Sequence, residues 1–118
     1  MSDISLDQWL LIDDEIIAEL REVMEEEFAD LISSFLNDLP VQLDLIQEAI
    51  ARSDAVDLYR IAHKFKSSCG SLGAMRLAEL FRRLEQAGRQ NALEGIAEVL
   101  AETRGIAQET VTQLVAML

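Results

Sequence analysis

The sequence predicts an all-α protein, an antiparallel up-down-up-down four-helix bundle with a short N-terminal helix packed across one end. Its 118 residues include only five glycines and one proline and are rich in Ala, Leu, Glu and Arg, a composition that favours helices. Apolar residues recur at spacings of three and four along most of the chain, as in amphipathic helices, and strand-like alternation is absent. We expect a single domain over residues 1–118, with an N-terminal arm at 1–11 and the bundle at 12–118.

The N-terminal arm has the pattern of a short helical turn. Ser5 and Gln8 fit a capping box, and Ile4 and Trp9 fit the hydrophobic staple that accompanies it. Trp9 is interpreted as a cover for one end of the core.

A short helix is predicted from Asp13 to about Met24. The Asp13 carboxylate suits an N-cap because it can accept hydrogen bonds from the free N–H groups of the first turn. Asp14 and Glu15 follow at the positive end of the helix dipole, where carboxylates are stabilising. The residues predicted to face inward are Ile16, Ile17, Leu20 and Val23.

A long helix is predicted from Glu26 to about Ala51, with Pro40 in its interior. Proline lacks an N–H and crowds the preceding turn, so we expect a kink near Asn37 rather than a break. The inward stripe of this helix is Phe28, Leu31, Ile32, Phe35, Leu39, Leu43, Ile46 and Ile50.

A third helix is predicted to begin after Asp54, which acts as its N-cap with Asp57 three residues later. It should end near Gly73, because glycine takes the left-handed conformation at little cost. Its inward stripe is Ala55, Leu58, Ala62, Phe65, Cys69 and Leu72.

Two helices complete the bundle. The fourth is predicted from about Ala74 to Ala87 with Gly88 as its stop, and the last from about Asn91 to Leu118. Gly95 and Gly105 are expected to weaken the last helix slightly. The inward residues are Leu77, Leu80, Phe81 and Leu84 in the fourth helix, and Leu93, Ile96, Leu100, Ala107, Val111, Leu114 and Leu118 in the last.

Charge is unevenly distributed along the chain. The net charge of −12 argues against a nucleic-acid partner, because phosphate backbones need a basic surface. Residues 60–89 nevertheless carry seven basic and two acidic residues, whereas the rest carries three basic and twenty acidic ones. This basic patch predicts a docking surface for an anionic partner; the alternative is chance clustering on solvated faces.

The chain has no pattern typical of membrane or secreted proteins. No apolar run approaches the roughly 18 residues of a membrane span, and no Lys or Arg occurs in the first twenty residues, where a signal peptide carries positive charge. We therefore expect a cytoplasmic protein with no membrane partner. The single cysteine, Cys69, lies on an apolar stripe and is interpreted as a buried structural thiol.

The one histidine is the candidate reactive residue. His63 lies about 100° round the helix from Ala62, at the flank of the apolar stripe. Lys66 and Ser67 share its face, and Gly70 lies a further turn along. An imidazole with an ammonium one turn away and small side chains ahead of it is an open, electropositive nucleophile. The alternative is a solvated histidine with no chemical role.

Other chemistries are excluded by the residues present. One His and one Cys on different faces of a helix cannot form a tetrahedral zinc site, and a di-iron bundle needs two Glu-x-x-His motifs, so no metal site is expected. No glycine-rich nucleotide loop occurs. Neutral imidazole can instead take a phosphoryl group as a phosphoramidate, provided that positive charge lies beside the phosphoryl oxygens.

The run Ala62-His63-Lys64-Phe65-Lys66-Ser67-Ser68, with Leu72-Gly73-Ala74 and then Leu77 and Leu84-Glu85, resembles the histidine phosphotransfer (HPt) signature. The resemblance implies a helical bundle that shuttles phosphoryl groups between receiver-domain aspartates, similar to the free-standing HptB type. It implies that His63 is phosphorylated and that Lys66 stabilises the phosphate. On the same resemblance, Ser67, which replaces the usual glycine, and Gly70 are expected to border the phosphate. Glu85 could fix the imidazole tautomer or repel the phosphoryl group.

The resemblance also implies the partners. One is the receiver domain of a hybrid histidine kinase, the other that of a response regulator, and each receiver supplies Mg²⁺ while this chain has no cofactor of its own. A monomer without nucleotide-binding or autokinase activity is expected. A scaffold that binds a receiver without transfer, or a decayed module, is the alternative. The residues expected to dock the receiver are Arg60, Lys64, Phe65, Arg76, Arg82 and Arg83.

Overall fold

The computed structural model describes residues 5–118, and within them it contains helices and no β-strand. A single 3₁₀ turn precedes the first α-helix and another precedes the second, at Leu6–Gln8 and Glu25–Glu27. The α-helices are α1 (Asp14–Met24), α2 (Phe28–Ala51), α3 (Ala55–Leu72), α4 (Met75–Arg89) and α5 (Ile96–Val115). The predicted all-α bundle with a short N-terminal helix is confirmed. No helix in the described part of the chain is long and apolar enough to cross a membrane.

The four long helices α2 to α5 enclose one apolar core. The most extensive pair is α3 and α4, with α2 packed on α3 and with α5 packed on α4 and α2. Phe65 of α3 joins three helices, because its ring stacks on Phe35 of α2 at 5.4 Å and meets Phe81 of α4 edge-on at 5.1 Å. The largest core side chains that are almost wholly buried are Ile32, Leu39, Ile46, Leu58, Leu77, Leu80, Phe81, Leu84 and Leu114.

The predicted caps form as expected. The Asp13 carboxylate accepts the N–H groups of Glu15 at 3.0 Å and Ile16 at 3.4 Å, and the Asp54 carboxylate accepts the N–H of Asp57 at 2.9 Å. Each bond satisfies a donor that the first helical turn leaves without a backbone partner.

Backbone hydrogen bonds anchor α1 over the end of the bundle. The Asp13 N–H donates to the Gly73 carbonyl at 2.8 Å, and the Arg76 N–H donates to the Leu10 carbonyl at 2.9 Å. Gly73 has φ +89°, and a Cβ there would lie 3.2 Å from the Asp13 carbonyl oxygen. Glycine is therefore required both by its conformation and by this close approach.

The N-terminal arm matches its prediction in part. Ser5 caps the 3₁₀ turn, but its hydroxyl accepts the N–H of Asp7, at 3.4 Å, rather than that of Gln8. Trp9 is half-buried. The staple needs Ile4, which lies outside the described residues.

Two predictions about α1 and α2 are wrong in detail. Val23 is 79% exposed, and Met24 is half-buried against the core in its place. The chain turns through Glu25, at φ 51°, so α2 begins at Phe28 rather than Glu26. The helix then continues through Pro40 without a break, as predicted.

The predictions for two glycines in the second half are also wrong. Gly88 does not stop α4, which continues to Arg89; it is buried against α3, where a Cβ would lie 2.7 Å from the Tyr59 backbone nitrogen. Gly95 does not weaken α5 from within. It has φ +76° and serves as the N-cap, so α5 begins at Ile96 rather than Asn91.

Candidate functional site

The imidazole of His63 stands at the surface in the middle of α3. Its side chain is 55% exposed, whereas the neighbouring Ala62 is fully buried. His63 lies inside α3 between the buried residues Ala62 and Phe65, so its ring projects from a helix whose other face is packed in the core. This is the flank position that the helical wheel predicts.

A buried carboxylate of α4 faces the imidazole. The Glu85 side chain is 6% exposed, and its Oε2 lies 2.8 Å from His63 Nδ1. Burial alone raises the pKa of Glu85, but hydrogen bonds from Lys66 and His63 outweigh it and hold the pKa below its ordinary value. The carboxylate is therefore ionised near neutral pH and can only accept hydrogen bonds. It follows that Nδ1 carries the proton of the neutral imidazole and that Nε2 has the free lone pair.

The ammonium of Lys66 lies on the same side as the histidine. Its Nζ donates to Glu85 Oε1 at 2.5 Å, so the two carboxylate oxygens are shared between the lysine and the imidazole. A third of the Lys66 side chain remains exposed. The lysine thus bridges α3 and α4 beside His63.

Two further residues complete the cluster, and the sequence interpretation did not assign them to the site. The ring of Tyr59 stacks on His63, with centroids 5.5 Å apart and planes at 18°. Arg89 Nη2 lies 3.4 Å from Glu85 Oε2 and 3.3 Å from the Tyr59 hydroxyl, and its guanidinium lies 5.2 Å from the centre of the Tyr59 ring. Helical spacing could have found both, because Tyr59 precedes His63 by four residues and Arg89 follows Glu85 by four.

The small residues predicted beside the phosphate are accessible. Ser67 is exposed, and a Cβ built on Gly70 meets no atom within 4 Å. Space therefore exists along this face of α3, one and two turns beyond His63.

The residues predicted to dock a partner are in different environments. Arg60 and Lys64 are exposed on α3, and Arg60 pairs with Asp57. Arg76 is half-buried, and its Nε donates to the Trp9 carbonyl at 3.0 Å, which ties the N-terminal arm to α4. Arg60 and Lys64 are thus the exposed residues of this predicted docking set that lie on the same helix as the histidine.

The prediction that Phe65 is a surface docking residue is wrong. Its side chain is only 3% exposed because it fills the core between Phe35 and Phe81, and it can contribute to docking only through the small part that lines the groove between α1, α2 and α3. The same spacing of three and four that put Phe65 on the inward stripe is what buries it.

The other two arginines surround a second buried carboxylate of α4. Arg82 Nε lies 2.8 Å from Glu79 Oε1, and Arg83 Nε lies 2.9 Å from Glu79 Oε2. Burial alone raises the pKa of Glu79, but these arginines outweigh it and the pKa is lowered. Arg83 is largely covered, whereas Arg82 is more accessible.

An open groove of about 470 Å³ lies between α1, α2 and α3. Its floor is apolar, and its rim carries hydroxyl groups and one carboxylate. It reaches Ser67, which lies one helical turn beyond His63 on α3. The lining residues are Leu20, Met24, Leu31, Ser34, Phe35, Asp38, Phe65, Ser67, Ser68, Ser71 and Leu72.

The comparisons with known proteins agree with one another. The sequence profile of the Hpt domain matches residues 30–118. The structure is similar to the crystal structure of histidine-containing phosphotransfer protein B (HptB) from Pseudomonas aeruginosa PAO1, with a TM-score of 0.88 and 27% sequence identity. The alignment covers 91% of this chain and 93% of that chain. No curated protein sequence matches significantly.

Proposed function

The chain belongs to the Hpt domain family, and from that premise we propose that it is a phosphotransfer intermediate of a multistep two-component phosphorelay. His63 accepts a phosphoryl group from the receiver-domain aspartate of a hybrid sensor kinase and passes it to the aspartate of a response regulator. The observation that carries the proposal is the exposed imidazole whose Nδ1 is held by the buried carboxylate of Glu85 at 2.8 Å. That arrangement leaves Nε2 free to attack.

The proposed transfer forms one bond as it breaks another and needs no reactant beyond His63 and the aspartyl phosphate. The Nε2 lone pair of His63 attacks the phosphorus of the aspartyl phosphate, and an N–P bond forms as the P–O bond to the aspartate breaks. The bonding electrons leave with the aspartate carboxylate. Nδ1 keeps its proton, so the phosphorylated ring becomes cationic, and the Glu85 carboxylate beside Nδ1 stabilises that charge. Because Glu85 lies on the Nδ1 side, it is directed away from the phosphoryl group on Nε2.

Positive charge beside the reacting atoms is supplied by Lys66. Its Nζ is held 2.5 Å from Glu85 Oε1, and an ammonium has two further N–H donors that can reach phosphoryl oxygens. The Mg²⁺ that the reaction needs is bound by the acidic pocket of the receiver, and no step requires a cofactor on this chain.

We place the receiver across the groove and the His63 face of α3. The apolar floor of the groove supplies contact area, and Arg60 and Lys64 are exposed beside His63 to face the acidic pocket of the receiver. Such docking needs one copy of the chain and partners in the same compartment, so we propose a cytoplasmic monomer.

The proposal is tested by incubating the protein with a receiver domain carrying ³²P on its aspartate. Wild-type protein should acquire acid-labile, alkali-stable label, and His63→Gln should acquire none while its thermal unfolding stays unchanged. Binding of a competent receiver without label on the wild-type chain would contradict the relay and favour a scaffold. Label on the His63→Gln variant would place the acceptor on another residue.

A further inference from the structure

We propose that Tyr59 is a positioning residue that holds the imidazole plane of His63 in the orientation that phosphoryl transfer needs. The inference rests on the proposed function, and it concerns a residue outside the motif that indicated it. Tyr59 does not touch the reacting phosphorus; it acts through the ring that does.

The contacts around His63 form a closed circuit of four side chains. His63 Nδ1 bonds to Glu85, Glu85 is 3.4 Å from Arg89, Arg89 is 3.3 Å from the Tyr59 hydroxyl, and the Tyr59 ring stacks back on His63. Each side chain is thus held by two neighbours in the circuit. A substitution of Tyr59 therefore removes a direct contact of the imidazole.

The stack supplies a restraint that the hydrogen bond cannot. The hydrogen bond from Nδ1 to Glu85 restrains one atom of the ring, but the ring can still swing about its own side-chain torsions over the range of lengths and angles that a hydrogen bond tolerates. A ring stacked at 18° fixes the plane as well. Because His63 is 55% exposed, core packing does not hold the imidazole from its open side. The two restraints together direct Nε2.

The main chain of Tyr59 is itself held against α4. Gly88 packs on it so closely that a Cβ would lie 2.7 Å from the Tyr59 nitrogen and 2.9 Å from its Cα. This contact lies one residue before Arg89, the partner of the Tyr59 hydroxyl. Tyr59 is therefore fixed on the same pair of helices that presents Glu85.

The stack also suits the phosphorylated state. When Nε2 carries the phosphoryl group and Nδ1 keeps its proton, the ring is cationic. The face of an aromatic ring attracts a cation placed over it. Tyr59 consequently stabilises the phosphorylated histidine as well as orienting the free one, and its loss should shorten the lifetime of the label.

The test compares Tyr59→Leu, which keeps apolar bulk but removes the stack, with Tyr59→Phe, which keeps the stack but removes the hydroxyl. At saturating receiver, Tyr59→Leu should slow single-turnover transfer about tenfold, because small displacements of a reacting group cost rate. Tyr59→Phe should stay within about threefold of wild type. Val56→Ala, an exposed position on the same helix, is the control and should change neither rate nor label lifetime.

Two readouts separate positioning from mere stability. Transfer is measured well below the unfolding temperature, where all variants are folded, and the ¹⁵N and ¹H NMR signals of the His63 ring are recorded without any receiver. In wild type the Nδ1–H form should dominate with slow exchange, and Tyr59→Leu should show averaged ring signals. Wild-type rate and ring signals in Tyr59→Leu would overturn the inference. A wild-type protein that shows the ordered ring but accepts no phosphoryl group would overturn the proposed function instead.

Discussion

Glu79 and Glu85 lie on the same helix, both are buried, and cations hold the pKa of each below its ordinary value. They differ in which helices supply their hydrogen-bonding partners. Arg82 and Arg83 bind Glu79 from its own helix, three and four residues along. Glu85 is bound by His63 and Lys66 of α3 as well as by Arg89 of α4.

The difference distinguishes a carboxylate with a structural role, Glu79, from one that takes part in the proposed chemistry, Glu85. Both partners of Glu79 are guanidinium groups, which stay protonated at any physiological pH and have no lone pair to offer. One partner of Glu85 is an imidazole, which keeps a free lone pair while it donates its N–H. A buried carboxylate with a lowered pKa is therefore not by itself evidence of a functional site. What distinguishes Glu85 is that one of its partners is a titratable and nucleophilic imidazole.

The sharpest test is to truncate each carboxylate in turn. Glu85→Ala should slow transfer at saturating receiver about 100-fold, because the tautomer and orientation of the nucleophile are lost, as when the orienting carboxylate of a catalytic triad is removed. Glu79→Ala should leave that rate near wild type but lower the free energy of unfolding by about 1–3 kcal/mol, since it removes charge-assisted hydrogen bonds. Single-turnover labelling and urea denaturation measure the two effects, and an equal loss of rate in both variants would erase the distinction.

Gly88→Ala should disrupt the close packing of α4 against α3 and so lower the stability of the protein. The new methyl group would meet the α3 backbone at Tyr59, so α3 and α4 must separate, at a cost of about 1–3 kcal/mol. Gly105→Ala is the matched control: it lies within α5 with no atom within 4 Å of its Cβ and should stabilise by roughly 0.5–1 kcal/mol. Urea denaturation compares them, and unaltered stability in Gly88→Ala would show that the helices adapt.

Lys66→Ala should slow transfer about tenfold, since one preorganised cation is lost beside the phosphoryl oxygens. The fold should persist because the lysine is partly exposed and outside the core. Arg104→Ala, which removes a cation that pairs with Asp44 between α5 and α2, should leave the rate unchanged. Rapid-quench labelling gives both rates; equal rates for Lys66→Ala and wild type would remove the lysine from the mechanism.

The smallest effect is expected in the dependence of stability on pH. Glu79 and Glu85 have lowered pKa values in the folded protein, so the unfolded chain binds their protons first as the pH falls. Their contribution should be complete at neutral pH, begin to fall near the ordinary glutamate value of 4.5, and vanish below the folded pKa values. Denaturant midpoints across this range measure it. Glu79→Gln should flatten the decline, and an unchanged slope would contradict the assignment.

Much of the fold follows from local rules in the sequence. The caps at Asp13 and Asp54 and the left-handed end at Gly73 depend on a few neighbouring residues, so the pattern predicted them. Gly88 and Gly95 were interpreted wrongly because the same residue type serves as a helix stop, an N-cap or a close-packing contact. Only the tertiary arrangement of α3 against α4 decides among these roles.

The candidate site, like the fold, was predictable where it depends on local spacing and motif but not where it depends on contacts between helices. His63 and Lys66 share a helical face by spacing alone, and the motif resemblance pointed to Glu85. Tyr59 and Arg89 belong to no motif, and their contact across two helices depends on the close approach at Gly88. Phe65 was predicted both to lie on the inward stripe of its helix and to dock a partner, and its burial shows that the stripe determined its position.

Cys69 gives the protein a built-in reporter of opening. It is the only cysteine of the chain, it has no solvent exposure, and burial raises the pKa of its thiol. Alkylating reagents can consume it only in molecules whose helices have parted, so the alkylation rate measures how often the bundle opens. Cys69 lies on the helix that carries His63. If phosphorylation of His63 holds α3 more tightly against α4, the alkylation rate of Cys69 should fall, and no spectroscopic label is needed to measure it.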